Sequence, residues 1–209
     1  ILTYTKKIGD HSFSALAGFV ASRYVGESAN SSIRGFSDNK IHSMNAGTVL
    51  NKPSEDYGAS TNASVLGRVT YDYQNKYLAT VNFRADGSSK FGVNNRWGYF
   101  PSFSLGWRLT GEEFMKPLDW LSDLKLRVGW GQVGNDQVGY YSSYGIYGIG
   151  ANYNMDGIIL PGYYQSQIGN DKLRWERTTQ TNVGLDFSFL NGRITLTADA
   201  YYKKKTDLL

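Results

Sequence analysis

The chain has 209 residues, 41% of them hydrophobic and 15% aromatic, with 22 basic against 18 acidic side chains for a formal charge of +4. It has no cysteine, which excludes disulfide scaffolds and thiolate metal sites, and its two histidines, His11 and His42, make zinc improbable. A charge of +4 is too small to indicate nucleic acid, and no apolar run nears the roughly 18 residues of a spanning helix, the best being Ala15–Ala21. The length suits one or at most two domains. Twenty-four glycines beside 16 tyrosines, 10 phenylalanines and 5 tryptophans, at a mean hydropathy of −0.41, make a strand-rich composition with wet surfaces.

Period-two alternation predicts strands along most of the chain. After a stub at Leu2–Lys6, the segment Phe13–Ala21 carries Phe13, Ala15, Ala17, Phe19 and Ala21 on one side. A hairpin is predicted from Val65–Tyr73 and Tyr77–Ala85 around Gln74-Asn75-Lys76. With a three-residue loop Tyr73 faces Tyr77, Tyr71 faces Ala79 and Val69 faces Val81, whereas a two-residue loop sets apolar against polar. Gly67 then lies opposite Phe83, an arrangement in which a ring can cover a strand glycine. Arg68, Thr70, Thr80, Asn82 and Arg84 share the polar face.

Phe103, Leu105, Trp107 and Leu109 alternate with small and polar residues, and a short helical turn is expected near Glu112–Leu118. Leu124, Leu126, Val128 and Trp130 repeat the alternation, as do Val183, Leu185, Phe187 and Phe189. Asn191-Gly192 is a strong signal for a type I′ hairpin. That turn pairs Phe189 with Ile194, Phe187 with Leu196, Leu185 with Ala198 and Val183 with Ala200. Asp186, Asp199, Gln180 and Lys203 then occupy the other face, with the two aspartates neighbours rather than a direct pair.

Connections on one side of the sheet are mostly tight and those on the other mostly extended: about 7–11, 74–76 and 191–192 are tight, 87–98 and 111–122 are intermediate, and 25–60 and 133–172 are long. A transmembrane barrel has this asymmetry, with apolar-out, polar-in strands and aromatics near the turns. Tyr71, Tyr73, Tyr77, Phe187 and Phe189 all fall near tight turns, and Leu173–Phe189 exceeds the roughly 9–11 residues needed to cross obliquely. The expected fold is therefore all-β: an antiparallel up-and-down transmembrane barrel segment of about eight strands with long extracellular loops. A soluble β-sandwich alternates in the same way and remains the other architecture.

Catalytic patterns are weak. Gly129-Trp130-Gly131-Gln132-Val133-Gly134 satisfies G-x-G-x-x-G, but no helical period follows, so the pyrophosphate site it would serve has no context. Asn30-Ser31-Ser32 and Asn62-Ala63-Ser64 are chance-level sequons. No nucleophile elbow or carboxylate–histidine spacing is present, Asp186 and Asp199 read as a solvated polar network, and no enzymatic role or cofactor is expected. Lys203-Lys204-Lys205 reads as a solvated strand end. The loop 133–172 carries Tyr140, Tyr141, Tyr144, Tyr147, Tyr153, Tyr163 and Tyr164 among glycines, serines and asparagines. That mixture suits either a contact surface for a ring-containing ligand or partner protein, or packing of loop on loop.

Arg84-Ala85-Asp86-Gly87-Ser88-Ser89-Lys90-Phe91-Gly92 and Asn95-Arg96-Trp97-Gly98-Tyr99-Phe100-Pro101-Ser102 resemble motif blocks of SusC/RagA-type TonB-dependent outer-membrane transporters. Gly106-Trp107-Arg108, Trp120 to Arg127, Gly131-Gln132-Val133-Gly134-Asn135, Leu173 to Asp186 and Asp199–Leu209 continue the resemblance in the family's order over most of residues 62–209. The resemblance implies a piece of a 22-stranded barrel. The plug, the TonB-contacting segment and the remaining strands would lie outside these 209 residues. It also implies import of oligosaccharides or peptides across the outer-membrane lipid, with a SusD-like surface lipoprotein as lid and energy from the TonB complex through the plug. Arg68, Arg84, Asp186 and Asp199 become candidate lumen-facing residues, the loop tyrosines candidate substrate or partner contacts, and Arg96, Trp97, Trp175 and Glu176 architectural. The second functional reading is a soluble, Tyr-lined β-sandwich that binds carbohydrate.

Overall fold

Eight strands form one antiparallel sheet in which every neighbour in the sheet is also the next ladder strand in the chain. They are β1 (Leu2–Ile8), β2 (His11–Asn30), β3 (Ser54–Tyr73), β4 (Tyr77–Ser88), β5 (Trp97–Arg108), β6 (Leu121–Asn135), β7 (Glu176–Phe189) and β8 (Ile194–Thr206). This computed structural model describes residues 1–41 and 43–208; His42 and Leu209 lie outside the described residues.

Turn chemistry sets the registers. Asn191 and Gly192 have φ of 55° and 81°, and Arg193 N–H reaches Leu190 O at 3.3 Å, the pattern of a type I′ turn. Phe189 pairs with Ile194, Phe187 with Leu196 and Leu185 with Ala198, as the turn predicts. Leu190 also adopts positive φ, so the ladder closes one pair short of the turn. Gln74 and Asn75 (φ 53° and 55°) close the β3–β4 hairpin, where Tyr73 pairs with Tyr77 and Gly67 with Phe83. Phe83 does not cover that glycine, however. A Cβ on Gly67 would meet only the Leu16 carbonyl, and the Phe83 ring instead stacks toward Tyr99 at 6.2 Å.

Several strands outrun the alternation. Both ends of the predicted connection 25–60 are ladder, paired continuously from Val25–Ala59 out to Asn30–Ser54, which leaves 31–53 as the loop. Glu27, Ser28, Asn30, Glu55 and Asp56 are polar whichever face they occupy, so backbone pairing persists where the hydropathy period has ended. Strand β5 begins at Trp97, and its ladder with β6 starts at Ser102, just past Pro101, which has no N–H to contribute. The expected helical turn is two short 3₁₀ turns, Leu109–Gly111 and Glu113–Met115. Within 136–175 two small hairpins form, one pairing Ile146–Ile149 with Tyr163–Gln167 and one pairing Tyr153–Met155 with Ile158–Leu160. The second turns at Asp156-Gly157 (φ 53° and 84°).

One face of the sheet is a belt of apolar side chains with no second layer over it among the described residues. Val69, Val81, Leu105 and Leu196 are each more than half exposed. On β2 to β5 the belt runs from the row His11, Tyr73, Tyr77, Trp107 to the row Ala21, Ala63, Gly87, Trp97. That length matches the roughly 9–11 residues of an inclined crossing strand. Across β6 to β8 the row joined to Trp107 is Leu126, Leu185, Ala198, already inside the apolar stretch. The turn-side aromatics there lie nearer the turns, where Trp120 and Phe189 stack at 5.7 Å with 7° between planes. At the other end the apolar side of β6 stops at Trp130, whose row meets Phe103 and Val81 in the middle of the belt. The belt thus slides along the strands from β2 to β8. This is what a level membrane layer produces when tilted strands cross it with the stagger of a barrel.

Candidate functional site

The polar face carries two separate networks. Arg68 Nε donates to Asn82 Oδ1 at 2.6 Å, and Asn82 Nδ2 donates to Ser102 Oγ at 3.1 Å, forming a row across β3, β4 and β5. Arg84 grips Asp86, two residues along the same strand, through Nε at 3.2 Å and Nη2 at 2.9 Å. Further round, Arg127 on β6 makes a two-pronged contact with Asp186 on β7 (2.8 and 2.9 Å) and reaches Asp199 on β8 at 3.0 Å. Thr197 Oγ1 adds a bond to Asp186 at 3.2 Å. Gly184 lies between Arg127 and Asp199 in the ladder, and a Cβ there would collide with both side chains. Its missing side chain is what lets the guanidinium span three strands.

Arg68, Arg84, Asp186 and Asp199 therefore share one face but not one site. The Asn191-Gly192 turn makes the two aspartates neighbours, and the register agrees: Asp186 pairs with Thr197 and Asp199 with Gly184. The organiser is Arg127, whose reach depends on the β6–β7 register across a 40-residue connection and so leaves no signal in the local period.

At the long-loop end the polar face holds the few deeply buried side chains. Phe91 is fully buried and Phe100 is 4% exposed. Both pack on Trp175, at ring separations of 5.3 and 5.5 Å. Gly98 and Gly134 make the room, since a Cβ on either would enter the Phe100 ring. Trp175 Nε1 donates to Arg96 O at 2.9 Å, Ser88 Oγ bonds Asp136 Oδ2 at 2.9 Å, and Asn95 Nδ2 donates to Asp171 O at 2.9 Å. The motif blocks noted in the sequence thus meet in one knot that ties 89–96 and 136–175 to the sheet. Glu176 is 8% exposed and pairs with Lys205 at 3.3 Å.

The seven tyrosines take different places. The Tyr140 ring lies against Gly58, with Lys90 Nζ 5.9 Å from its centroid. Tyr141 and Tyr144 form a turn whose carbonyls both accept from Gln167 Nε2, at 3.1 and 3.0 Å. Tyr164 covers Gly148 across its hairpin. Tyr147 and Tyr163 share one face of that hairpin and are 68% and 74% exposed, and Tyr153 projects from the second hairpin.

At the opposite rim Glu112 accepts from Tyr77 OH at 2.6 Å and from Trp107 Nε1 at 3.1 Å, with Lys76 Nζ at 3.8 Å. These contacts, the tyrosine hydroxyl foremost, hold its carboxyl below the ordinary value of 4.5. A lowered folded-state value means that Glu112 contributes stability above the unfolded value and loses it as pH falls through the folded one. Glu112→Gln should therefore melt earlier than the parent at neutral pH, with the gap closing below about pH 4.5. Melting the full-length protein in detergent across that range checks this; parallel curves would contradict it.

The family model for TonB dependent receptor-like β-barrels matches residues 3–209. The chain belongs to the TonB-dependent receptor β-barrel family. Its likeness is to the SusC/RagA type: TonB-dependent receptor SusC of Bacteroides thetaiotaomicron is 45% identical over 154 residues, covering 72% of this chain and 15% of that protein. A TonB-dependent receptor of Formosa agariphila is 37% identical over 209 residues, 99% of this chain and 20% of its own length. The solved RagAB peptide transporter superposes with a TM-score of 0.86 at 29% identity, covering 99% of this chain and 23% of that one. The chain thus spans about a fifth of the relatives it matches.

Proposed function

We propose that these residues are barrel wall in an outer-membrane transporter that imports large nutrients, oligosaccharides or peptides, rather than a catalyst. In this reading 1–209 is one part of a barrel domain, and the plug and remaining strands belong to the rest of the protein. The observation that carries it is the two-faced sheet: a sliding apolar belt on one side and fixed charge networks on the other. The belt meets outer-membrane lipid, and Arg68, Arg84, Asp186 and Asp199 face the lumen, where the plug would dock and couple to the TonB complex. The tyrosine hairpins project beyond the belt on the long-loop side, the place for contacts with substrate or with a SusD-like surface lipoprotein. A sandwich that binds carbohydrate would need a second sheet over the belt.

The knot confines the test to the outer part of the loop. In the full-length transporter, a short Gly-Ser link in place of residues 145–168 removes both hairpins and keeps Trp175, Asp136 and their partners. Uptake, or affinity for the lid lipoprotein, should fall at least tenfold while heat-modifiable migration on gels stays normal. Unchanged uptake and unchanged lid affinity would take the hairpins out of the site.

A further inference from the structure

We infer that the belt face carries a binding site for a phosphorylated lipid headgroup at its long-loop edge. The assignment rests on the barrel orientation proposed above. A hollow of about 580 Å³ lies over β2, β3, β4 and the start of β5. Its floor is the last apolar row, Ala21, Ala63 and Gly87, with Trp97 closing one side, and Gly87 lies directly under the indole. Arg23 and Thr61 form the next row outward, and Arg96 enters from the 89–96 connection.

Three features select the occupant. No residue lining the hollow is acidic. Among the described residues neither arginine has a carboxylate within ion-pair distance. Two guanidinium groups without a carboxylate partner leave their charge for an anionic acceptor. Below the hollow the floor runs without a step into the belt, at Phe19, Val65, Ala85 and Tyr99. The matching molecule has an anionic head at the arginines and hydrocarbon beneath it. The level is also right: Trp97 is half exposed at the belt's end, where interfacial aromatics sit. The four strands involved are interior to the sheet order, so further barrel strands joining β1 or β8 would leave the hollow open. A free anion would satisfy the arginines but leave the apolar floor wet, so the occupant is a lipid phosphate.

The test uses the full-length transporter in detergent, titrated with monophosphoryl lipid A, its dephosphorylated counterpart, or inorganic phosphate, with thermal midpoint as readout. The parent should be stabilised most by the phosphorylated lipid. The Arg23→Gln/Arg96→Gln variant should need much more of it, roughly fivefold for each arginine removed. Equal responses of parent and variant, or of phosphorylated and dephosphorylated lipid, would overturn the assignment. A full response to inorganic phosphate would replace it with a free-anion site. Labelling of a cysteine placed at Tyr153 in intact cells reports the orientation separately. No labelling there overturns the barrel orientation, whatever the lipid titration gives.

Discussion

Phe91→Ala should cost about 3–5 kcal/mol, the usual range for truncating a fully buried aromatic. Phe91 is the most enclosed side chain among the described residues, at 0% exposure, and it packs on Trp175, which also holds Phe100. Its removal leaves a hole under the connection 89–96 and loosens the indole that bonds Arg96 O. The sheet itself has long ladders independent of this knot, so the damage should be local. Limited proteolysis of the full-length transporter should cut within 89–96 or 136–175 well before the parent is cut, while the barrel still shifts on gels with heating. Gly134→Val should mimic it from the other side, because its Cβ would enter the Phe100 ring. Parent-like protease resistance in both variants would show that the knot does not hold the loops.

Val81→Arg should be the most harmful single change in the sheet away from the knot. Val81 is 57% exposed, so in water an arginine there would cost little. In lipid the expectation reverses. Val81 lies midway along the belt from Tyr77 to Gly87, and an arginine at the bilayer midplane of a barrel costs about 2–4 kcal/mol. Thr80→Arg, one residue back and on the polar face, should stay within about 0.5 kcal/mol. Refolding titrations into vesicles measure both. Equal, small costs at the two positions would mean that the belt does not face lipid.

The pairing of both main hairpins was legible in the sequence because period and turn chemistry act over a few residues and agree. Where β2 and β3 end was not, because past Val25 and Ala59 acidic residues stand on both faces, Glu27 and Glu55 on one and Asp56 on the other, while backbone pairing continues to Asn30 and Ser54. The small hairpin at Asp156-Gly157 carried its own turn signal, diluted by the glycines and tyrosines around it. The candidate charges were legible as a face, but their partners were not. Arg127 meets Asp199 only through the register of three strands and the absence of a side chain at Gly184. Similarly, Phe91, Phe100 and Trp175 stood in recognisable blocks, and their meeting is a product of tertiary structure alone.

The central claim is that one face of this sheet meets lipid and the other water. Spin labels placed singly from Tyr77 to Gly87 in the full-length transporter, reconstituted in membranes, test it most directly. Collision rates with dissolved oxygen, which concentrates in lipid, and with a water-soluble nickel chelate should alternate with period two. Oxygen should dominate at Ala79, Val81, Phe83 and Ala85, and the chelate at Thr80, Asn82 and Arg84. Oxygen and chelate access without alternation, or chelate access at Val81 equal to that at Thr80, would contradict the account.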